Sequence, residues 1–155
     1  MPRTPLLSLR LRIISKLYTR LLSKEMSELE PGLYFEVLLL LSQHESPLTQ
    51  NQIAEQLRVD KSRVVNIVYY LSSKELIFVE NKPDDRRHHN IYLSPAGRSL
   101  VPVIMQRVHA LNGITTAGIA ENDLLVFLKV ARQMEHNLET ALGQPAPAAE
   151  VALNV

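Results

Sequence analysis

The chain has 155 residues, a formal net charge of +1, 46% hydrophobic and 21% charged residues, and no cysteine. That length suits one domain with its own core. The near-neutral balance argues against a wholly electrostatic polyanion binder, and the missing thiols remove any structural disulfide and any thiol-based oxidant sensing. The longest apolar run, Val37 to Leu41, is far too short to span a bilayer, and the arginine-interleaved N-terminus has no cleavage pattern, so a cytoplasmic protein without a membrane partner is expected.

Taken in order, Leu7, Leu11, Ile14, Tyr18 and Leu21 form one stripe of a first helix over about residues 5 to 27, and Leu6, Leu9, Ile13 and Leu17 widen it. A helix apolar over so much of its circumference needs neighbours on two sides. Residues 1 to 24 also carry six basic groups (Arg3, Arg10, Arg12, Lys16, Arg20, Lys24) and no acid, a placement that meets either phosphates or solvent. Pro31-Gly32 breaks the chain, and residues 33 to 43 read as a second, very apolar helix. Thr49 with Gln52 three residues on makes a capping box for a third helix, whose Ile53, Ala54 and Leu57 form its apolar stripe. Only Arg58 and Val59 separate Leu57 from Asp60, whose carboxylate is placed to accept from the amides of residues 62 and 63 and start a fourth helix. There Val64, Ile67, Val68 and Leu71 share one face, with Ser62, Asn66, Tyr69 and Ser73 opposite and Arg63 and Tyr70 at the flank. Two helices joined by so short a turn suit a helix-turn-helix unit.

After Leu76 the period falls from 3.6 towards 2. Ile77 and Val79, then Ile91 and Leu93, suit two strands around the turn chemistry of Asn81 to Asp85, leaving Arg86, Arg87, His88 and His89 at the tip. Ser94-Pro95 reads as N-cap and first helical position of a fifth helix carrying Leu100, Ile104, Val108 and Leu111. Pro102 is expected to kink or break it, and Asn112-Gly113 to stop it. A last helix begins near Glu121 with Leu124, Phe127, Ala131, Met134 and Leu138 as its stripe, and its acidic start suits the helix dipole. Residues 143 to 155, rich in Ala and Pro and without period, are expected to be a disordered tail. The fold class is mainly α, formally α+β: a winged helix-turn-helix with a two-stranded wing and N- and C-terminal dimerisation helices. Residues 1–28 and 99–142 would be the dimerisation helices, and 33–98 the DNA-binding lobe.

Candidate chemistry is concentrated on the fourth helix and the wing. An Asn side chain can pair bidentately with adenine and an Arg with guanine, which makes Asn66 and Arg63 the candidate base readers. Thr49, Gln50, Lys61 and Ser62 are further candidate DNA contacts, and Tyr69 and Tyr70 alike serve as phosphate contacts or as structural seam residues. Asp85, Arg86, Arg87 and His88 supply the wing. Asp84 and Asp85 with Glu80 lie beside two arginines, so charge pairing that shapes the wing is preferred to acid-base work. Adjacent His88 and His89 point to opposite faces of a strand, which disfavours a shared metal. No nucleophile motif, glycine-rich phosphate loop or zinc spacing occurs, so no enzyme, metal or cofactor is expected.

The strings LTQNQIAEQLRVDKSRVVNIVYYL, KELI and DDRRHHNIYLSPAG, in this order and spacing, resemble the multiple-antibiotic-resistance-regulator (MarR) family of bacterial winged-helix transcription regulators, over roughly residues 6 to 142. The resemblance implies a homodimer joined by its first and last helices, a recognition helix opening at Asp60-Lys61-Ser62 in the major groove, and a wing pair Asp85 and Arg87 at the minor groove. It further implies a repressor reading a pseudo-palindromic operator on double-stranded DNA. A small aromatic effector would sit between arms and lobe, where Tyr18, Tyr34, Phe35, Met105 and His109 could line a space or equally serve as core. The other readings are a winged-helix protein-protein interaction module that binds no DNA, and a metal-responsive regulator. Zinc-sensing relatives pair histidines on the later helix, whereas the residue four after His109 is Gly113. The exposed Asn66, Arg63, Arg86 and Arg87 favour DNA, since a protein-binding face would be more apolar there.

Overall fold

The computed structural model describes residues 6–29, 31–81, 83–84 and 89–145, and of Leu33 the backbone alone. Six α-helices and a two-stranded antiparallel sheet follow one another as α1 (Leu7–Met26), α2 (Phe35–Ser42), α3 (Gln50–Leu57), α4 (Lys61–Ser73), β1 (Ile77–Asn81), β2 (His89–Leu93), α5 (Pro95–Thr115) and α6 (Glu121–Ala141). The chain turns from α1 into α2 through a single 3-10 turn at Gly32–Tyr34, so the second helix begins two residues later than its apolar run suggests.

Because α2 has almost no polar face, it must lie in the centre. Phe35 and Val37 to Leu41 are all buried, and the helix packs on α5, α3 and β2. Around it gather Ile53 of α3, Val64, Ile67, Val68 and Leu71 of α4, Ile77, Ile91 and Leu93 of the sheet, and Val101, Ile104 and Val108 of α5. α3, α4 and α5 contribute residues from the stripes that their spacing marks out, and burying a side chain of this size is worth about 1.5 to 3 kcal/mol.

The strands pair with Ile77 opposite Leu93 and Val79 opposite Ile91, the register that puts the alternating aliphatics on the core side. On the other face Phe78 and Tyr92 stack with ring centres 5.0 Å apart, and the Tyr92 hydroxyl donates to Glu80 at 2.8 Å. Periodicity does not reveal a third partner for this sheet. Leu48 exchanges two backbone hydrogen bonds with Ile91 (3.3 and 2.8 Å), pinning the start of α3 to the base of the wing.

Three expectations are corrected. Asp60 occupies the N-cap position of α4 in extended backbone, but its carboxylate makes no capping bond. α5 neither breaks at Pro102 nor stops at Gly113. Pro102 lies on the exposed side, where the carbonyl it leaves unpaired can reach water. Past Gly113, Thr115 and Thr116 return hydroxyl bonds to the carbonyls of Leu111 and Asn112 (2.9 and 2.8 Å), and the left-handed turn falls at Gly118. α6 closes at the left-handed Gly143, after which residues 146 to 155 lie outside the described set.

Among the described residues α6 buries no side chain. Leu125, Val126, Phe127, Val130 and Leu138 on α6, and Leu7, Leu11, Ile14 and Leu17 on α1, stay exposed.

Candidate nucleic-acid interface

The helix-turn-helix is held by local chemistry at both ends of α3. At its start the Thr49 hydroxyl accepts from the Gln52 amide, while the Gln52 side chain accepts from the Thr49 amide at 2.9 Å, which completes the capping box. At its end Arg58 adopts a left-handed conformation (φ 52°), and the Val59 amide reaches back to the Ala54 carbonyl at 3.1 Å. One residue with positive φ is what turns the chain sharply enough for α4 to begin at Lys61.

Packing then orients α4. With Val64, Ile67, Val68 and Leu71 buried, Lys61, Ser62, Arg63, Val65, Asn66 and Tyr69 are left exposed, Tyr69 by 79%. A face this open with such donors suits the edge of a duplex. Tyr70 is separated from them. It is half-buried, edge-on to Tyr34 with ring centres 5.2 Å apart, and Lys74 Nζ stands 5.8 Å from its ring centre. Thr49 and Gln50 are half-buried at the start of α3, with the Thr49 hydroxyl engaged in capping. Asp85, Arg86, Arg87 and His88 lie outside the described residues; the flanking Asn81 and His89 hydrogen-bond to each other across the strand pair.

Val65, 43% exposed, adds a small apolar surface to the open side of α4. Sequence reasoning missed one feature near this face. Glu36 of α2 lies in the electrostatic reach of both Arg63 and Tyr18, and no local pattern announces that. Partial burial pushes the Glu36 carboxyl above its ordinary 4.5 while Arg63 opposes the shift. The Tyr18 hydroxyl is pushed up by burial and then by Glu36, and it donates to Asn112 of α5 at 2.9 Å.

The sign of the consequence is fixed by linkage. A carboxyl whose pKa rises on folding binds its proton more tightly in the folded state, so stability is lost as pH rises from about the unfolded value through the raised one. Glu36→Gln is therefore expected to flatten the loss of thermal stability in the range just above pH 4.5, as read from melting temperature against pH.

The five residues considered for an effector do not share one setting. Phe35 belongs to the core, Tyr34 packs on Tyr70, Tyr18 bonds Asn112, and Met105 and His109 are exposed on α5.

Residues 31–88 match the model of the MarR family. A protein of Thauera aromatica described as a transcriptional regulatory protein for the hcr operon is 33% identical over 78 residues, 50% of this chain and 46% of its own length, so the match spans about half of that relative. The transcriptional regulator SlyA superposes with a TM-score of 0.79 at 17% identity, over 88% of this chain and 96% of its own. A structure described as a MarR family transcriptional regulator of Listeria monocytogenes, complexed with a 26mer DNA, gives 0.76 at 15% identity over 93% and 99%. No helix among the described residues is long and apolar enough to cross a membrane. The match to the MarR family model thus covers α2, the helix-turn-helix and β1, and over most of its length the chain has the winged-helix fold of these solved regulators.

Proposed function

We propose that this protein is a homodimeric repressor of the bacterial cytoplasm that reads a pseudo-palindromic operator, with α4 of each protomer in successive major grooves. The open face of α4, with Ser62, Asn66 and Tyr69 directly opposite its buried stripe, carries this reading. The Listeria relative with bound DNA supports it. α1, α5 and α6 act as the dimerisation arms, and residues 33–98 as the lobe. An aromatic effector seated between arms and lobe would be read out as release from the operator. Selection of bound sites from random duplex DNA tests the whole reading: the expected result is a two-fold consensus with half-site centres one helical turn, ~34 Å, apart. Recovery of no consensus overturns it.

Asn66 and Lys61 should behave differently. Asn66→Ala is expected to cost about 1 to 3 kcal/mol per half-site and to flatten preference at one base position. Lys61→Ala should weaken all duplexes alike and reduce the salt slope by about 1. A consensus unchanged by Asn66→Ala would contradict this register of α4.

Arg87 follows Asp85 by two residues, a spacing that on a strand puts both on one side, so the carboxylate can orient the guanidinium. An oriented guanidinium suits the narrow A·T-rich minor groove, where the negative potential is strongest. Arg87→Ala is expected to weaken binding strongly and to erase preference for A·T-rich flanks in mobility-shift assays, with Asp85→Asn giving a milder loss. Equal affinity of Arg87→Ala and native protein on an A·T-flanked operator removes the wing from the mechanism.

A further inference from the structure

Arg58 is an unexpected residue for the elbow between α3 and α4. Its backbone (φ 52°, ψ 45°) is one that glycine or asparagine adopts more readily. The elbow's own bonds, Arg58 amide to the Glu55 carbonyl at 3.3 Å and Val59 amide to that of Ala54 at 3.1 Å, need no side chain. What arginine adds is a guanidinium that crosses to the far end of the sequence: Nη1 stands 2.8 Å from Glu139 Oε1 and 3.3 Å from Glu135 Oε2 of α6. The two glutamates are one helical turn apart and meet at one point. Only 18% of the Glu139 side chain is exposed, so the contact is screened less than a pair standing fully in water.

The same helix buries no side chain among the described residues, so apolar packing within the protomer does little to fix it against the lobe. We propose that Arg58 is a positioning residue: clasped by Glu135 and Glu139, it locks the α3–α4 elbow onto α6 and sets where the recognition helix stands relative to the dimerisation arm. Two carboxylates on one guanidinium leave the cluster negative, so it does not serve as a phosphate contact. The consequence for DNA rests on the operator-reading function proposed above: with each lobe tied to its arm, the separation of the two recognition helices is fixed, and the protein discriminates against altered half-site spacing.

Because the chain has no cysteine, nitroxides on cysteines introduced at the exposed Ser72 of α4 and Lys129 of α6 report the lobe-to-arm distance within a protomer. The measurement uses double electron-electron resonance on labelled protein diluted into unlabelled. A narrow distribution is expected in the native background. It should broaden in Arg58→Gly and in the Glu135→Gln, Glu139→Gln double variant, and narrow again when Arg58→Glu is combined with Glu139→Arg. Arg58→Gly is the informative variant, since glycine suits the elbow and the melting temperature should not fall through the turn itself. A distribution unchanged in both clasp-breaking variants overturns the proposal, whatever the DNA shows.

On a two-fold duplex recovered by selection, inserting one base pair between half-sites should weaken native binding roughly tenfold and the double variant much less. If the double variant instead binds every duplex more tightly, the freed Arg58 is a phosphate contact and the clasp is not its role. If no duplex is recovered while the distance distributions still broaden and narrow as stated, the DNA reading fails and the clasp stands.

Discussion

Gly97→Ala is expected to destabilise the protein by about 3 kcal/mol, against a helix propensity that alone would favour alanine by roughly 1 kcal/mol. Gly97 sits in the first turn of α5, and a Cβ there would stand 2.1 Å from the Leu76 carbonyl oxygen and 3.1 Å from Leu93 Cδ2. The oxygen has nowhere to go. It accepts from the Ser94 amide at 3.1 Å, while the Leu76 amide donates to the Leu71 carbonyl at 3.0 Å, so moving it disturbs the end of α4 and the start of α5 together. Ser94 tightens the same knot, accepting from the Gly97 amide at 2.9 Å and donating to the Glu75 carbonyl at 2.6 Å. For a domain of this size the loss corresponds to a fall in melting temperature of roughly 6 to 12 °C. Ser94→Ala, which loses the cap, should cost about 1 kcal/mol and give a smaller fall. A melting temperature raised by Gly97→Ala would mean that propensity wins and that this close approach is absent. Because the knot joins α4, the sheet and α5, operator affinity under the proposed function should fall with stability.

That knot also marks the boundary of what the sequence makes legible. Ser94-Pro95 announces a helix start because capping is local, and the strand register follows from alternation because a slip of one residue would turn Val79 and Ile91 outward. The exposed face of α4 follows from the buried positions of Val64, Ile67, Val68 and Leu71 by geometry alone. Nothing local says that the Leu76 carbonyl presses on Gly97, that Leu48 pairs with Ile91, or that Arg58 meets Glu139 far along the chain. These contacts are products of packing between elements. The expectations for Asp60, Pro102 and Gly113 share one origin: each residue type has a local preference, and tertiary context overrode it. Glu36 is of the same kind, since the burial that raises its carboxyl pKa and the Arg63 of α4 that opposes the rise come from packing that helix spacing on α2 cannot reveal.

Leu17→Glu is expected to convert the protein into a folded monomer that no longer holds a two-fold operator. Leu17 is 60% exposed and shares one face of α1 with the exposed Leu7, Leu11 and Ile14, while Phe127, Val130 and Leu138 stand exposed on α6. A stripe of this kind marks an association surface, because isolated exposed apolar residues are ordinary whereas a full face of them along one helix is not. In the protomer a carboxylate at this position stays in water and costs the fold little. Across a two-fold interface the same change enters twice, and each buried carboxylate carries a desolvation penalty of several kcal/mol, which exceeds the roughly 1.5 to 3 kcal/mol that one leucine contributes when covered. Sedimentation should therefore show a monomer whose melting temperature no longer depends on concentration, with helical content retained. Operator affinity should drop to that of one half-site, since the second recognition helix is no longer delivered with the first. A dimer of unchanged strength would place the interface away from α1, and full operator affinity in a monomer would separate dimerisation from DNA reading altogether.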